Sequence, residues 1–139
     1  MGTTIRPEVS AKNKYWIGKH RYYELKHFCL QYPVWIKARA SLDGLSKNPV
    51  GLDAVARVKG VSDPTAKCAE AREYFVDRIR MVEKAAKDTD AELSAYLLKG
   101  VTESRSYDTL KALDGLPCCK DTYYRLYRKF FWLLSKARN

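Results

Sequence analysis

The sequence predicts an all-α protein, and three observations carry that prediction. Apolar residues recur every three or four positions through most of the chain, no stretch alternates apolar and polar long enough to make a strand, and helix start and stop signals punctuate the periodic segments. With 139 residues and 46% hydrophobic content, the chain suffices for one modest core. A single small domain, or one with an appended arm, is expected.

Residues 1–14 are polar and basic without periodicity and read as a flexible arm. From Lys19, Tyr22, Leu25, Cys29 and Tyr32 form one stripe with Phe28 beside it, the spacing of an amphipathic helix. Pro33 ends that helix, because proline disfavours the helical conformation in the residue before it. A second, short helix is expected from Pro33, with Val34, Trp35, Ala38 and Leu42 inward and Asp43-Gly44 as its stop. Residues 43–62 hold three glycines and a proline and read as a long loop, with at most a turn of helix between Leu52 and Val58.

Ser62 or Asp63 then serves as an N-cap before Pro64, and Cys68, Ala71, Phe75, Ile79, Val82 and Ala86 mark the seam of a helix of about six turns. After Asp88 to Asp90 comes a helix with Leu93, Tyr96, Leu97 and Val101 inward. Ser106 caps the next, whose Tyr107, Leu110 and Leu113 face one way and which Asp114-Gly115 closes. Leu116 and Pro117 lead into the last helix. The expected organisation is an arm over 1–14, an N-terminal helical region and loop over 15–60, and a long helix plus helix-turn-helix over 61–139.

The charge is +10, with 26 Lys and Arg against 16 Asp and Glu, which favours an anionic partner. It is not spread evenly. Residues 117–139 carry six bases against Asp121 alone, whereas 61–116 are nearly balanced. No run reaches the ~18 apolar residues that span a bilayer, and MGTTIRPEVSAKNK lacks the apolar core of a signal peptide, so a cytoplasmic protein without a membrane partner is expected. FFWLL, only five residues between charges, does not change that.

Cys29, Cys68, Cys118 and Cys119 include a vicinal pair and no CxxC, and read as free thiols; with His20 and His27 they have no zinc-site spacing. His20, Glu24 and His27 share a helix face, the pattern of a surface pair. There is no phosphate-cradling glycine loop, HExxH or GxSxG, so neither a catalytic site, a metal nor a cofactor is expected.

The stretch CCKDTYYRLYRKFFWLLSKARN poses the functional question. Three successive helices, a tight glycine turn before the last and a basic final helix form the pattern of a helix-turn-helix, whose last helix enters the major groove of double-stranded DNA. Tyr123, Tyr127, Phe130 or Phe131, and Leu134 recur on one face and are assigned to the core. Lys120, Asp121, Thr122, Tyr124, Arg125, Arg128 and Lys129 fall at the start or on the outer faces. There Arg125 would suit guanine O6 and N7, Thr122 or Tyr124 a base or phosphate, and Arg128 and Lys129 phosphates; unpaired amides near Cys119 and Lys120 favour a phosphate too. Asp121 complements the helix dipole. An ordinary core helix with a solvated basic face would show the same periodicity.

The segment from Ser106 to Arg138 resembles the C-terminus of ArpU/RinA-type late transcription regulators of phages and prophages, itself similar to region four of sigma factors. The resemblance rests on Ser106-Tyr107, Gly115, Asp121-Thr122-Tyr123, the bases Arg125, Arg128 and Lys129, and Phe130-Phe131-Trp132-Leu133-Leu134. It implies a phage or prophage DNA-binding transcription regulator; in such a regulator the N-terminal helices would serve dimerisation or contact with RNA polymerase. Tyr123 and Phe130 are bulkier than such segments usually carry there, implying a bulkier core. Two alternatives are a protein-interaction module built on Tyr15, Trp16, Tyr22, Tyr23 and Trp35, and a small terminase-like DNA-binding subunit. If the N-terminal region serves only partners, deleting residues 1–60 leaves DNA binding largely intact.

Overall fold

The structure is a computed structural model that describes residues 14–47 and 64–138, without the side chains of 45–47, 64 and 65. Among the described residues it is all-α: α1 (Lys19–Leu30), α2 (Tyr32–Lys47), α3 (Pro64–Thr89), α4 (Ser94–Thr102), α5 (Tyr107–Asp114) and α6 (Lys120–Ala137), with no strand. The expected arm (1–14, except Lys14), the cap at Ser62 or Asp63, and most of the expected 43–62 loop lie outside the described residues.

Contacts divide the described residues into two compact units, residues 14–32 with 81–138, and residues 33–47 with 64–80. In the first, α1 packs on α6 and α4, and α4 packs on α5 and α6. Grouping by sequence order placed α1 with the N-terminal region, but it shares a core with the last helix. Its stripe behaves as the periodicity predicts: Tyr22, Leu25, Phe28 and Cys29 are buried. Polar ties reinforce the contact. Arg21 donates from Nε to Ser135 Oγ (3.1 Å) and from its terminal nitrogen to the Ser135 carbonyl (2.9 Å), while the Tyr22 and Tyr127 hydroxyls meet at 2.7 Å. The Tyr22 ring also meets Phe131 edge-on, 5.2 Å between centroids, and the Arg138 guanidinium lies 4.0 Å from the Phe28 ring centre. Burial pushes the Cys29 thiol far up, only partly opposed by Arg138, so it stays neutral. At the junction with α2, Tyr32 donates to Glu83 at 2.5 Å.

Local signals fix the helix ends of this unit. Asp90 Oδ1 accepts from the Glu92 and Leu93 amides (2.9 and 3.0 Å), satisfying donors at the α4 start. The Arg105 amide reaches back to the Gly100 carbonyl (3.1 Å) while Ser104 takes the left-handed conformation at φ 56°, which closes α4. Ser106 Oγ accepts from the Thr109 amide (3.2 Å), and Gly115 at φ 68° ends α5, as the sequence predicts for both residues.

In the second unit, α2 runs to Lys47 and so passes through the expected stop at Asp43-Gly44. Asp43 instead pairs with Arg72 Nε at 2.6 Å. Trp35 is buried there with Val76 and Ile79, but Val34, expected inward, is 62% exposed. The seam of α3 is confirmed at Ile79, Val82 and Ala86; Cys68 and Phe75 are only half-buried, and the helix is longer than expected at 26 residues.

Candidate nucleic-acid interface

The face that α6 offers outward follows from the face it hides. Tyr123, Tyr124, Leu126, Phe130, Phe131 and Leu134 are buried. At about 100° per residue they sweep an arc of roughly 160°. So wide an arc reflects two partners, α1 and α4. Asp121, Arg125, Arg128, Lys129, Trp132 and Lys136 occupy the remaining arc.

Two short connections aim this helix. Gly115 turns the chain, Leu116 is fully buried, and Lys111 Nζ donates to the Leu116 carbonyl (3.1 Å). The Tyr107 hydroxyl donates to the Cys118 carbonyl (2.8 Å), and its ring lies 5.9 Å from that of Tyr123. Cys119 is the extended residue before the first turn of α6, its Sγ 3.1 Å from Thr122 Oγ1. The Thr122 hydroxyl, aided by the Thr122 and Asp121 amides, pulls the Cys119 thiol below its ordinary range, whereas burial pushes the Cys118 thiol up.

A glycine sets how closely α6 approaches α4. A methyl group at Gly100 would collide with the Tyr123 hydroxyl and come within 3.2 Å of Leu110 Cδ1. Tyr123 is 2% exposed, and its hydroxyl finds no hydrogen-bond partner among the described residues. Burial drives the Tyr123 and Tyr127 phenols well up, so both stay protonated and the aromatic cluster neutral.

The predicted contact residues do not share one fate. Lys120 and Arg125 are exposed, and Thr122, Arg128 and Lys129 are half-buried. Tyr124 corrects the expectation: it is 8% exposed and its ring lies 5.2 Å from that of Tyr123 and 6.2 Å from that of Tyr127, so it belongs to the core. A one-face assignment left it outside because it counted too narrow a buried arc. Leu113 departs in the opposite sense: expected inward on α5, it is 73% exposed, while Leu110 is fully buried.

The charges of the unit are also unequal. Asp114 takes Lys99 Nζ at 2.8 Å and an Arg105 nitrogen at 3.4 Å. The Lys99 hydrogen bond, with help from Arg105, holds the Asp114 carboxyl below the usual carboxylate range against its desolvation. Lys136 lies over the Trp132 ring at 3.5 Å. By contrast, no carboxylate among the described residues pairs with Arg125, Arg128 or Lys129.

Three residues that the sequence did not link to this helix stand beside them. Tyr15, Thr89 and Asp90 join Arg125, Leu126 and Lys129 in lining a cleft of about 220 Å³. No local signal reports this, since the walls come from three distant segments; Asp90 shows in sequence only as part of a cap region.

No family model, curated protein or solved structure matches the chain. Any functional reading therefore stands on these residues and their geometry. Among the described residues no helix is long and apolar enough to cross a membrane, and no group of three or more His, Cys, Asp or Glu side chains could hold a metal ion.

Proposed function

We propose that the protein is a sequence-specific double-stranded DNA-binding transcription regulator that contacts DNA through the outward arc of α6. One observation carries this reading: Arg125, Arg128 and Lys129 stand on that arc without a carboxylate partner among the described residues, while nearby Lys99 pairs with Asp114, and Arg105 with Glu103 and Asp114. Cations without carboxylate partners on a helix locked from behind by aromatic packing suit a polyanion, because each phosphate they neutralise releases condensed counterions. Lys120 and Thr122, at the start of the helix, stand where groove-entering helices make their first contacts.

Fluorescence-anisotropy titration of a pool selected from random duplex DNA, beside an unselected pool and at several salt concentrations, tests the reading. Selected DNA is expected to bind ~10³-fold or more tightly than random DNA, with a steep salt slope. No enrichment and only weak salt-dependent binding would overturn it. The observation favouring a protein-interaction module instead is the exposure of Trp16 (40%) and Tyr23 (37%) near the start of the described chain. That reading predicts no enrichment of DNA and recovery of a protein partner that Trp16→Ala abolishes.

A further inference from the structure

The cleft beside α6 is small for a ligand pocket, about 220 Å³ against ~300–1,000 Å³ for sites that enclose whole small molecules. It is also far larger than the ~30 Å³ share of one water. A single charged group projecting from a larger molecule matches that size. The polar side chains around it are not equivalent. The Thr89 hydroxyl donates to the Ala85 carbonyl at 2.7 Å, and Asp90 Oδ1 accepts the Glu92 and Leu93 amides; both serve the junction of α3 and α4. The Tyr15 ring is held edge-on to Trp132 at 5.3 Å between centroids and forms a fixed wall. Arg125 and Lys129 lie one turn apart on the same side of α6, close enough to serve one anion. Neither forms an ion pair with Asp90, although all three line the cleft.

We propose that this cleft is a phosphate seat in which Arg125 and Lys129 together hold one backbone phosphate of bound DNA, while Asp90 moderates their grip. The inference rests on the DNA-binding reading and deepens it. It moves Arg125 from the base edge, where the sequence placed it, to the backbone, where it fixes register and carries no sequence information. With two cations and one carboxylate around the seat, the site attracts a phosphate without the full strength of an Arg–Lys pair.

The test uses the full chain with Arg125→Ala, Lys129→Ala, the double variant and Asp90→Asn, each titrated against selected and random duplexes from low to moderate salt. Each neutralised phosphate contributes about 0.9 to the slope of log K against log salt. A shared phosphate predicts that the double variant lowers the slope by about 0.9 and the affinity roughly ten-fold at 0.1 M salt, equally for both DNA pools. A fall of about 1.8 would mean two separate phosphates and would overturn the shared seat. So would a loss confined to selected DNA on Arg125→Ala, since that marks a base contact. Asparagine keeps the capping oxygen of Asp90 but not its charge, so Asp90→Asn is expected to tighten binding to both pools; unchanged or weaker binding contradicts its moderating role. If the wild-type chain shows no salt-dependent DNA binding, the seat falls together with the DNA reading. If it binds and the double variant binds equally well, the seat alone falls.

Discussion

Gly100→Ala probes the contact that sets the height of α6 over α4. Two effects oppose each other. Alanine is favoured over glycine inside a helix by about 1 kcal/mol. Against this, the new methyl group meets the Tyr123 hydroxyl and crowds Leu110 Cδ1 at 3.2 Å. Neither neighbour has room to yield, since Tyr123 is 2% exposed, Leu110 fully buried, and the Tyr123 ring is flanked by Tyr107, Tyr124 and Tyr127. Overpacking of a tight site costs about 1–3 kcal/mol, and this geometry belongs at the upper end. The net loss is then about 2 kcal/mol, or about 7 °C in Tm for a chain of this size. Urea unfolding followed by circular dichroism measures it. The same experiment on Tyr123→Phe removes a buried hydroxyl without a partner, so that variant is expected to be neutral or more stable. The double variant should then recover most of the loss. A stabilising Gly100→Ala, or a double variant whose losses simply add, would refute the close approach as the reason for glycine.

Other predictions concern charge and thiols. The folded-state pKa of Asp114 is depressed, so its stabilising contribution is present above the unfolded carboxylate value, about pH 3.9, and is lost as pH falls through the lower folded value. The stability gap between wild type and Asp114→Asn, read as urea midpoints, is therefore expected to close below about pH 4; a gap constant down to pH 2 would contradict it. Cys119 is exposed and its thiol favours ionisation, whereas Cys29 is buried and neutral. With an aromatic disulfide reagent at pH 7, a fast phase is expected that Cys119→Ser removes and Thr122→Val slows. A fast phase that survives Cys119→Ser would show that another thiol carries it.

What the sequence discloses here is mostly what one or two turns of chain decide among themselves. Ser106 and Gly115 bound α5 because capping and a left-handed closing residue act over four or five positions. The stripe of α1 is legible because Tyr22, Leu25, Phe28 and Cys29 all face a single interior. Periodicity gives the direction of a buried face but not its width, and width depends on how many partners a helix has. Tyr124 joins the core, and Val34 and Leu113 stay outside, for reasons set by neighbours that the local pattern does not name. Asp43-Gly44 failed as a stop because a mid-helix aspartate there finds Arg72, 29 positions away. Of the candidate interface, the cations of α6 were readable and the cleft was not, since Tyr15 and Asp90 arrive from elsewhere in the chain.

The ties between α1 and α6 have a consequence for the order in which the protein is made. Arg21 waits for Ser135, 114 positions later, and Tyr22 for Tyr127, 105 positions later. At ~5–20 residues per second of synthesis, α1 spends roughly 5–20 s outside the ribosome before its companion exists. Until α4 and then α6 are made, Tyr22, Leu25 and Phe28 lack the native surface that covers them, and such transiently exposed apolar surface is what chaperones bind. The same wiring means that the basic helix is no detachable cassette. Deleting residues 1–60 would strip away α1, one of the two helices that α6 packs against, so loss of DNA binding in such a truncation would report a damaged scaffold rather than a missing contact.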